Sequence, residues 1–279
     1  MAADIGDRLV QLWTAELAGL PGRFSIALRS PSGPIAGHQE HLPHYAASTI
    51  KVAVLAALLD ARASGVANAT GAALVHARFA SRSGGRFDLS QDGDQDDRTW
   101  AQLGESVHLL ALAEQMITVS SNIATDLILE RIGIEAVAGF LNRAGLDAEL
   151  SLQRLIGDTA AEEAGFTNSV TAAGLAALLA GLASGRWLSA TDAATALAIL
   201  ARQTHRDGIP AGLPPGVWSA GKGGWVPGVR HDLALVRPAS APPYVLAVCT
   251  TSELPDDAAL ALVAGLSRLT YQEWTRWHA

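Results

Sequence analysis

Cysteine occurs once in the 279 residues, at Cys249, so no intramolecular disulfide can form and no multi-cysteine zinc site can be built. Lysine is almost as scarce: of 20 Lys plus Arg, only Lys51 and Lys222 are lysines. Runs rich in Lys and Arg are missing. With a formal charge of −7 and a pI near 5.6, this argues against nucleic acid or an anionic membrane as the main partner. The apolar stretches are Ala-rich and broken by polar residues, so none reads as a membrane span. The segment 1–10 is acidic and amphipathic and lacks a charged start followed by an apolar run, which gives the expectation of a cytoplasmic protein. No internal repeat is visible. What is left is a chain 49% hydrophobic and 17% charged, able to bury one large core or two interlocked ones, with a small molecule as its expected partner.

The scarcity of lysine gives each remaining one weight. A desolvated lysine amine can lose its proton and act as a base, whereas guanidinium stays charged at any ordinary pH. A chain that meets its other cationic needs with 18 arginines either keeps Lys51 and Lys222 where arginine would not serve or carries them as two leftovers of an Arg-biased composition. Lys51 closes Ser48-Thr49-Ile50-Lys51, and Lys222 opens Lys222-Gly223-Gly224.

Residues 4–18 carry helical periodicity, with Ile5, Leu9, Leu12, Trp13 and Leu17 on one stripe. Residues 23–29 alternate like a half-buried strand, and Pro31-Ser32-Gly33-Pro34 is a turn, so a hairpin follows the helix. Residues 48–61 are helical and nearly all apolar, which predicts a buried helix. Further helices are predicted at 109–116, 122–131, 134–144, 170–183 and 190–203. A Gly-, Asp- and Ser-rich stretch at 81–102 is predicted as a long loop. Strands return at 217–222, 231–237 and 244–250, followed by a helix over 256–274. Strands at both ends with helices between them predict an α/β (α+β sandwich) fold: one antiparallel sheet built from distant segments, flanked by terminal helices, beside an inserted all-helical domain. The expected division is residues 1–46 and 207–279 for the sheet domain and 47–206 for the helical domain, with the site between them.

Three motifs stand in one order: Ser48-x-x-Lys51, Ser120-Ser121-Asn122 and Lys222-Gly223-Gly224. They are separated by 72 and 102 residues, which suits a helical insertion. Here the chain resembles the penicillin-recognising serine hydrolases, the superfamily of class A β-lactamases and D,D-peptidases, whose signatures are S-x-x-K, S-D-N and K-T-G. The stretch Met116-Ile117-Thr118-Val119-Ser120-Ser121-Asn122-Ile123-Ala124-Thr125-Asp126 is similar to the family's second motif throughout, and Gly228-Val229-Arg230-His231-Asp232 is similar to the stretch after its lysine motif. The resemblance spans roughly residues 24–266. A serine hydroxyl needs a base within hydrogen-bond reach to attack a carbonyl. Residues three apart share a helix face, so Ser48 can meet Lys51. The resemblance implies catalytic roles for Ser48, Lys51, Ser120 and Lys222, and an oxyanion hole from the amides of Ser48 and Trp225. It also implies substrate binding by Asn122, Gly223 and Gly224, while Trp100 and Trp225 are placed at the pocket because their segments flank the proposed site. Arg230 is either a second anion-binding residue or the partner of an acid such as Asp232.

Departures from the family pattern shape the functional expectation. Ser121 stands where Asp is usual. Gly223 replaces the Thr or Ser whose hydroxyl meets a substrate carboxylate. Between Leu152 and Thr171 there is no Glu-Pro, the element whose Glu activates the deacylating water in class A enzymes; counting from Arg154 puts Ile156 there. Asp158, Glu162 and Glu163 are candidate replacements after a register shift, or solvated loop acids paired with Arg154. His38, His41 and His44, spaced three apart, read as turn or surface residues rather than as metal ligands. A triad of Ser with His231 and Asp232 is disfavoured, since adjacent strand residues face opposite ways. No metal or organic cofactor is implied. The expected activity is an active-site serine acyl hydrolase or acyltransferase acting on an amide, lactam or ester through an acyl-enzyme, in specialised metabolism. The alternatives are a true β-lactamase, a D,D-peptidase and a non-catalytic ligand-binding descendant.

Overall fold

The computed structural model describes residues 5–279. One antiparallel sheet dominates, with strands in the spatial order Trp218–Gly221, Val229–Arg237, Tyr244–Thr251, Arg23–Ser30 and Gly33–His38. A sixth short strand, Gly224–Val226, pairs with the near end of Val229–Arg237, setting Trp225 opposite Arg230. The expected hairpin and the three late strands are all present. Asp4, with which the first helix was expected to begin, lies outside the described residues.

Strand alternation sends side chains to two different cores. Ile26, Leu28, Ala234, Val236, Leu246 and Val248 meet the helices Ile5–Leu17 and Asp256–Trp277 on one face. Ala27, Leu233, Leu235, Val245, Ala247 and Cys249 join the helical core on the other. The strand Tyr244–Thr251 is buried almost throughout, as expected when both faces are covered. The terminal helices are stapled by the Trp13 indole, which donates to Thr270 Oγ1 at 3.0 Å.

The helix Lys51–Ala63 lies at the centre of the second core. Ten of its residues are buried, so it is apolar all round rather than striped. Helices Leu109–Thr118, Asn122–Ile132, Ile134–Ala144, Ala172–Ala183 and Ala190–Ala201 surround it or pack against the sheet. Stretch 81–102, expected as one long loop, holds more order than that. A hairpin pairs Arg78–Ala80 with Arg86–Asp88, and a single helical turn spans Asp97–Trp100. No helix among the described residues is long and apolar enough to cross a membrane.

Candidate active site

The helix carrying Lys51 begins as a tight turn, Ala47–Ile50, before continuing as α-helix. That start presses directly against strand Gly224–Val226. A Cβ on Gly224 would stand 2.7 Å from the Ser48 amide nitrogen and 2.8 Å from that of Thr49, so only glycine permits this approach. Two non-glycine residues beside the motifs, Ala47 and Ser120, hold left-handed backbone with φ of 44° and 64°. Such conformations cost about 1–3 kcal/mol each and persist where the surroundings enforce them.

Ser48 is half-buried and lines a cavity of about 180 Å³ together with Ser120, Asn122, Trp225, Arg154 and Ile156. Lys51 is fully buried beneath it. Its Nζ donates to the Ser120 carbonyl at 2.7 Å, to Asn122 Oδ1 at 2.8 Å and to Ser120 Oγ at 3.4 Å. Lys222, also fully buried, donates to the same Ser120 Oγ at 3.0 Å and to the Gly223 carbonyl at 2.6 Å. Thus two lysine side chains share one hydroxyl. In this resting geometry Lys51 is hydrogen-bonded to Ser120 and Asn122, one turn of helix from Ser48; catalytic hydrogen bonds commonly tighten only when substrate is bound.

Burial lowers the pKa of Lys51 from its ordinary value to about 8, against the pull of Asp94 and Asp126 in the other direction. Lys222 is pushed well down by burial and then by the neighbouring Lys51 charge, with Asp232 opposing. A lysine near 8 is partly neutral at physiological pH, and therefore able to accept a proton.

Asp94 was not singled out from the sequence. Its carboxylate accepts the Asn122 amide at 2.8 Å, the Ile123 amide at 2.9 Å and the Trp100 indole at 3.1 Å. Ser121 Oγ accepts the next amide of that helix, from Ala124, at 3.1 Å. The negative charge expected to be missing at Ser121 is thereby supplied from a distant loop to the same helix N-terminus. Asp126, one turn on, is fully buried with its carboxyl pKa well above the ordinary range because of that burial, and its Oδ1 accepts the Ile156 amide at 2.8 Å.

Several expected positions are corrected. Trp100 is buried behind the cleft bracing Asp94 and does not line the cavity, because the turn Asp97–Trp100 directs its ring inward. Arg230 pairs with Asp256 at 2.8 Å, not with Asp232, and lies over the Trp225 ring at 5.5 Å outside the cavity. Asp232 faces the other way and accepts the Ile209 amide. His231 donates from Nε2 to the Tyr45 carbonyl at 2.8 Å while its Nδ1 accepts the Thr250 amide at 3.0 Å, so it is committed away from Ser48. His44, expected at a turn or surface, is 2% exposed between Ser25 and Thr251. Gly223 donates its amide to Gln203 Oε1 at 3.2 Å, with nothing closer than 3.7 Å where a Cβ would stand. None of the three candidate acids lines the cavity. Asp158 is buried against Ser81 and Arg82, Glu162 pairs with Arg154 at 2.7 Å, and Glu163 is exposed.

The family model of the beta-lactamase enzyme family matches residues 9–274. The chain belongs to that family. It is a serine hydrolase with a Ser-x-x-Lys nucleophile, working through an acyl-enzyme. Among solved structures it is similar to a variant of the last common ancestor of Gram-negative bacteria class A beta-lactamases bound to 5(6)-nitrobenzotriazole. That match has 26% identity, 98% of this chain, 99% of the other and a TM-score of 0.78. PBP-A is similar at 22% identity over 96% of each chain, with a TM-score of 0.80. A beta lactamase from Xanthomonas campestris pv. campestris str. ATCC 33913 is similar at 22% identity over 98% of this chain and 99% of the other, also at 0.80. The last two likenesses speak to the fold. No curated protein matches the sequence. Ile156, at the position that counting from Arg154 assigns to the family's water-activating Glu, lines the cavity wall.

Proposed function

We propose that this family member is an acyltransferase or slow acyl hydrolase of specialised metabolism, acting on an amide, lactam or ester. Ser48 Oγ attacks the carbonyl carbon as its proton passes to neutral Lys51. The amides of Ser48 and Trp225 receive the developing oxyanion. When the intermediate collapses, the carbon–nitrogen or carbon–oxygen bond breaks and Ser120 supplies the proton to the leaving group, replenished from Lys51. Lys222 polarises Ser120 and attracts a substrate anion, Asn122 holds an amide of the substrate, and Gly223 and Gly224 line the strand along which it lies. On the same reading the chain divides into a sheet domain, 1–46 with 207–279, and a helical domain, 47–206, with the cleft between them.

The observation that carries the proposal is Ser120 Oγ lying 3.4 Å from one buried lysine amine and 3.0 Å from the other. This is a proton-transfer arrangement that a purely structural core has no use for. Transfer is favoured over hydrolysis because counting from Arg154 puts Ile156 at the position of the class A water-activating Glu, and none of the candidate acids Asp158, Glu162 and Glu163 lines the cavity. Reaction with an activated ester is expected to show a burst equal to the enzyme concentration, followed by slow turnover. A small amine or alcohol should then accelerate release and appear in the product. A burst-free steady state, insensitive to such acceptors, would instead favour the second reading, lactam hydrolysis, which the class A likeness supports.

A further inference from the structure

Arg154 belongs to the same cleft, and none of the roles above uses it. Its side chain is 2% exposed, yet it lines the cavity with Ser48. The backbone is held from both sides by Asn168, whose Oδ1 accepts the Arg154 amide at 3.1 Å and whose Nδ2 donates to the Arg154 carbonyl at 3.1 Å. The guanidinium donates through Nη2 to Tyr45 Oη at 2.8 Å and through Nη1 to the Leu155 carbonyl at 3.1 Å, and its Nη2 forms an ion pair with Glu162 Oε2 at 2.7 Å. Nε, although shielded from solvent, has no partner.

A guanidinium carries five N–H donors in a fixed fork, and leaving one shielded and unpaired is unfavourable. Among the described residues the one acid paired with this buried cation is Glu162, whose side chain is 40% exposed and so remains largely hydrated. An ion pair with one partner largely hydrated contributes little net stability. The cavity of about 180 Å³ that Arg154 shares with Ser48 has room for a short acyl chain.

We propose that the acyl part of the substrate is a short chain ending in a carboxylate, received by Arg154 in a charge-assisted contact. This rests on Ser48 being the acylated residue, with the acyl chain running towards the segment that bears Arg154 and Ile156.

The test measures competitive inhibition of 4-nitrophenyl acetate turnover, corrected with Ser48→Ala, by glutarate and by pentanoate, which differ in the terminal carboxylate. Glutarate should inhibit at least tenfold more tightly than pentanoate. The ratio should fall to near one in Arg154→Gln, rise in Glu162→Gln, which frees the guanidinium, and stay unchanged in Arg230→Gln. Thermal shifts with the same two acids read binding without turnover and confirm that each variant is folded. Equal inhibition by the two acids, or a preference that survives Arg154→Gln or collapses in Arg230→Gln, would overturn the proposal. Should Arg154→Gln fail to fold, an unchanged ratio in Glu162→Gln would overturn it. Loss of all Ser48-dependent turnover with the glutarate thermal shift intact would overturn the acylation reading instead.

Discussion

Replacing Ile156 with Glu should convert a long-lived acyl-enzyme into one that turns over. Ile156 is half-buried in the cavity wall, and its amide is tied to Asp126 at 2.8 Å, so the backbone that would present a new carboxylate is already fixed. A positioned general base contributes about 10² to 10⁴ in rate, equivalent to roughly 3–5 kcal/mol of barrier. Burial favours the protonated carboxyl, while the Lys51 and Arg154 cations favour the ionised form that can take a proton from water. The assay follows the acyl-enzyme by intact mass after excess β-lactam is removed, comparing its decay in the wild type and in Ile156→Glu. At least a hundredfold faster decay is expected, with acylation changed less than tenfold. An unchanged decay rate in a folded variant, or a wild-type adduct that already disappears at the variant's rate, would refute the assignment of Ile156 as the missing base position.

The same geometry constrains other perturbations. Lys51→Arg should abolish acylation as thoroughly as Lys51→Ala, since guanidinium cannot accept the proton; in the wild type the acylation rate should rise with pH and level off above about 8, as Lys51 becomes neutral. Near-normal stopped-flow acylation by Lys51→Arg would confine the residue to an electrostatic role. Gly224→Ala should be severely impaired because its Cβ meets the Ser48 amide, whereas Gly223→Ser fits, since nothing lies closer than 3.7 Å, and should lower KM for penicillin-like substrates. Burial holds the His231 pKa at about 4, below the ordinary 6.5, so its neutral form stabilises the fold fully above pH 6.5 and that contribution fades as pH falls towards 4. The loss amounts to about 3 kcal/mol at most, visible as a drop in urea midpoint between pH 7 and 4.5 that His231→Gln reduces; an equal drop in that variant would place the sensitivity elsewhere.

The proposed catalytic residues were legible because they lie in short motifs that resemble those of the penicillin-recognising serine hydrolases. Ser48, Lys51, Ser120, Asn122 and Lys222 sit on or beside helices and strands whose periodicity is plain, so their order already implied convergence. The supporting residues were hidden for physical reasons. Asp94 comes from a Gly- and Asp-rich stretch without periodicity, where the hairpin Arg78–Ala80 with Arg86–Asp88 leaves no strong sequence signal. Trp100 was placed at the pocket by its position in sequence, but the orientation of a single helical turn decided otherwise. Asp126 did carry a signal: an acid among Ile123, Ala124, Leu127 and Ile128 on a buried helix marks a site where something must be hydrogen-bonded. Arg154 and Glu162 were readable as a pair, but not as part of the cleft, since a salt bridge in sequence space has no direction.

Ser48 is proposed to form an acyl-enzyme which water removes only slowly. Intact-mass measurement after incubation with a penicillin, sampled over minutes, reads this species itself. One adduct per chain is expected, persistent over that interval in the wild type and missing in Ser48→Ala. An adduct that survives Ser48→Ala, or complete conversion of the penicillin without any accumulated adduct, would contradict it.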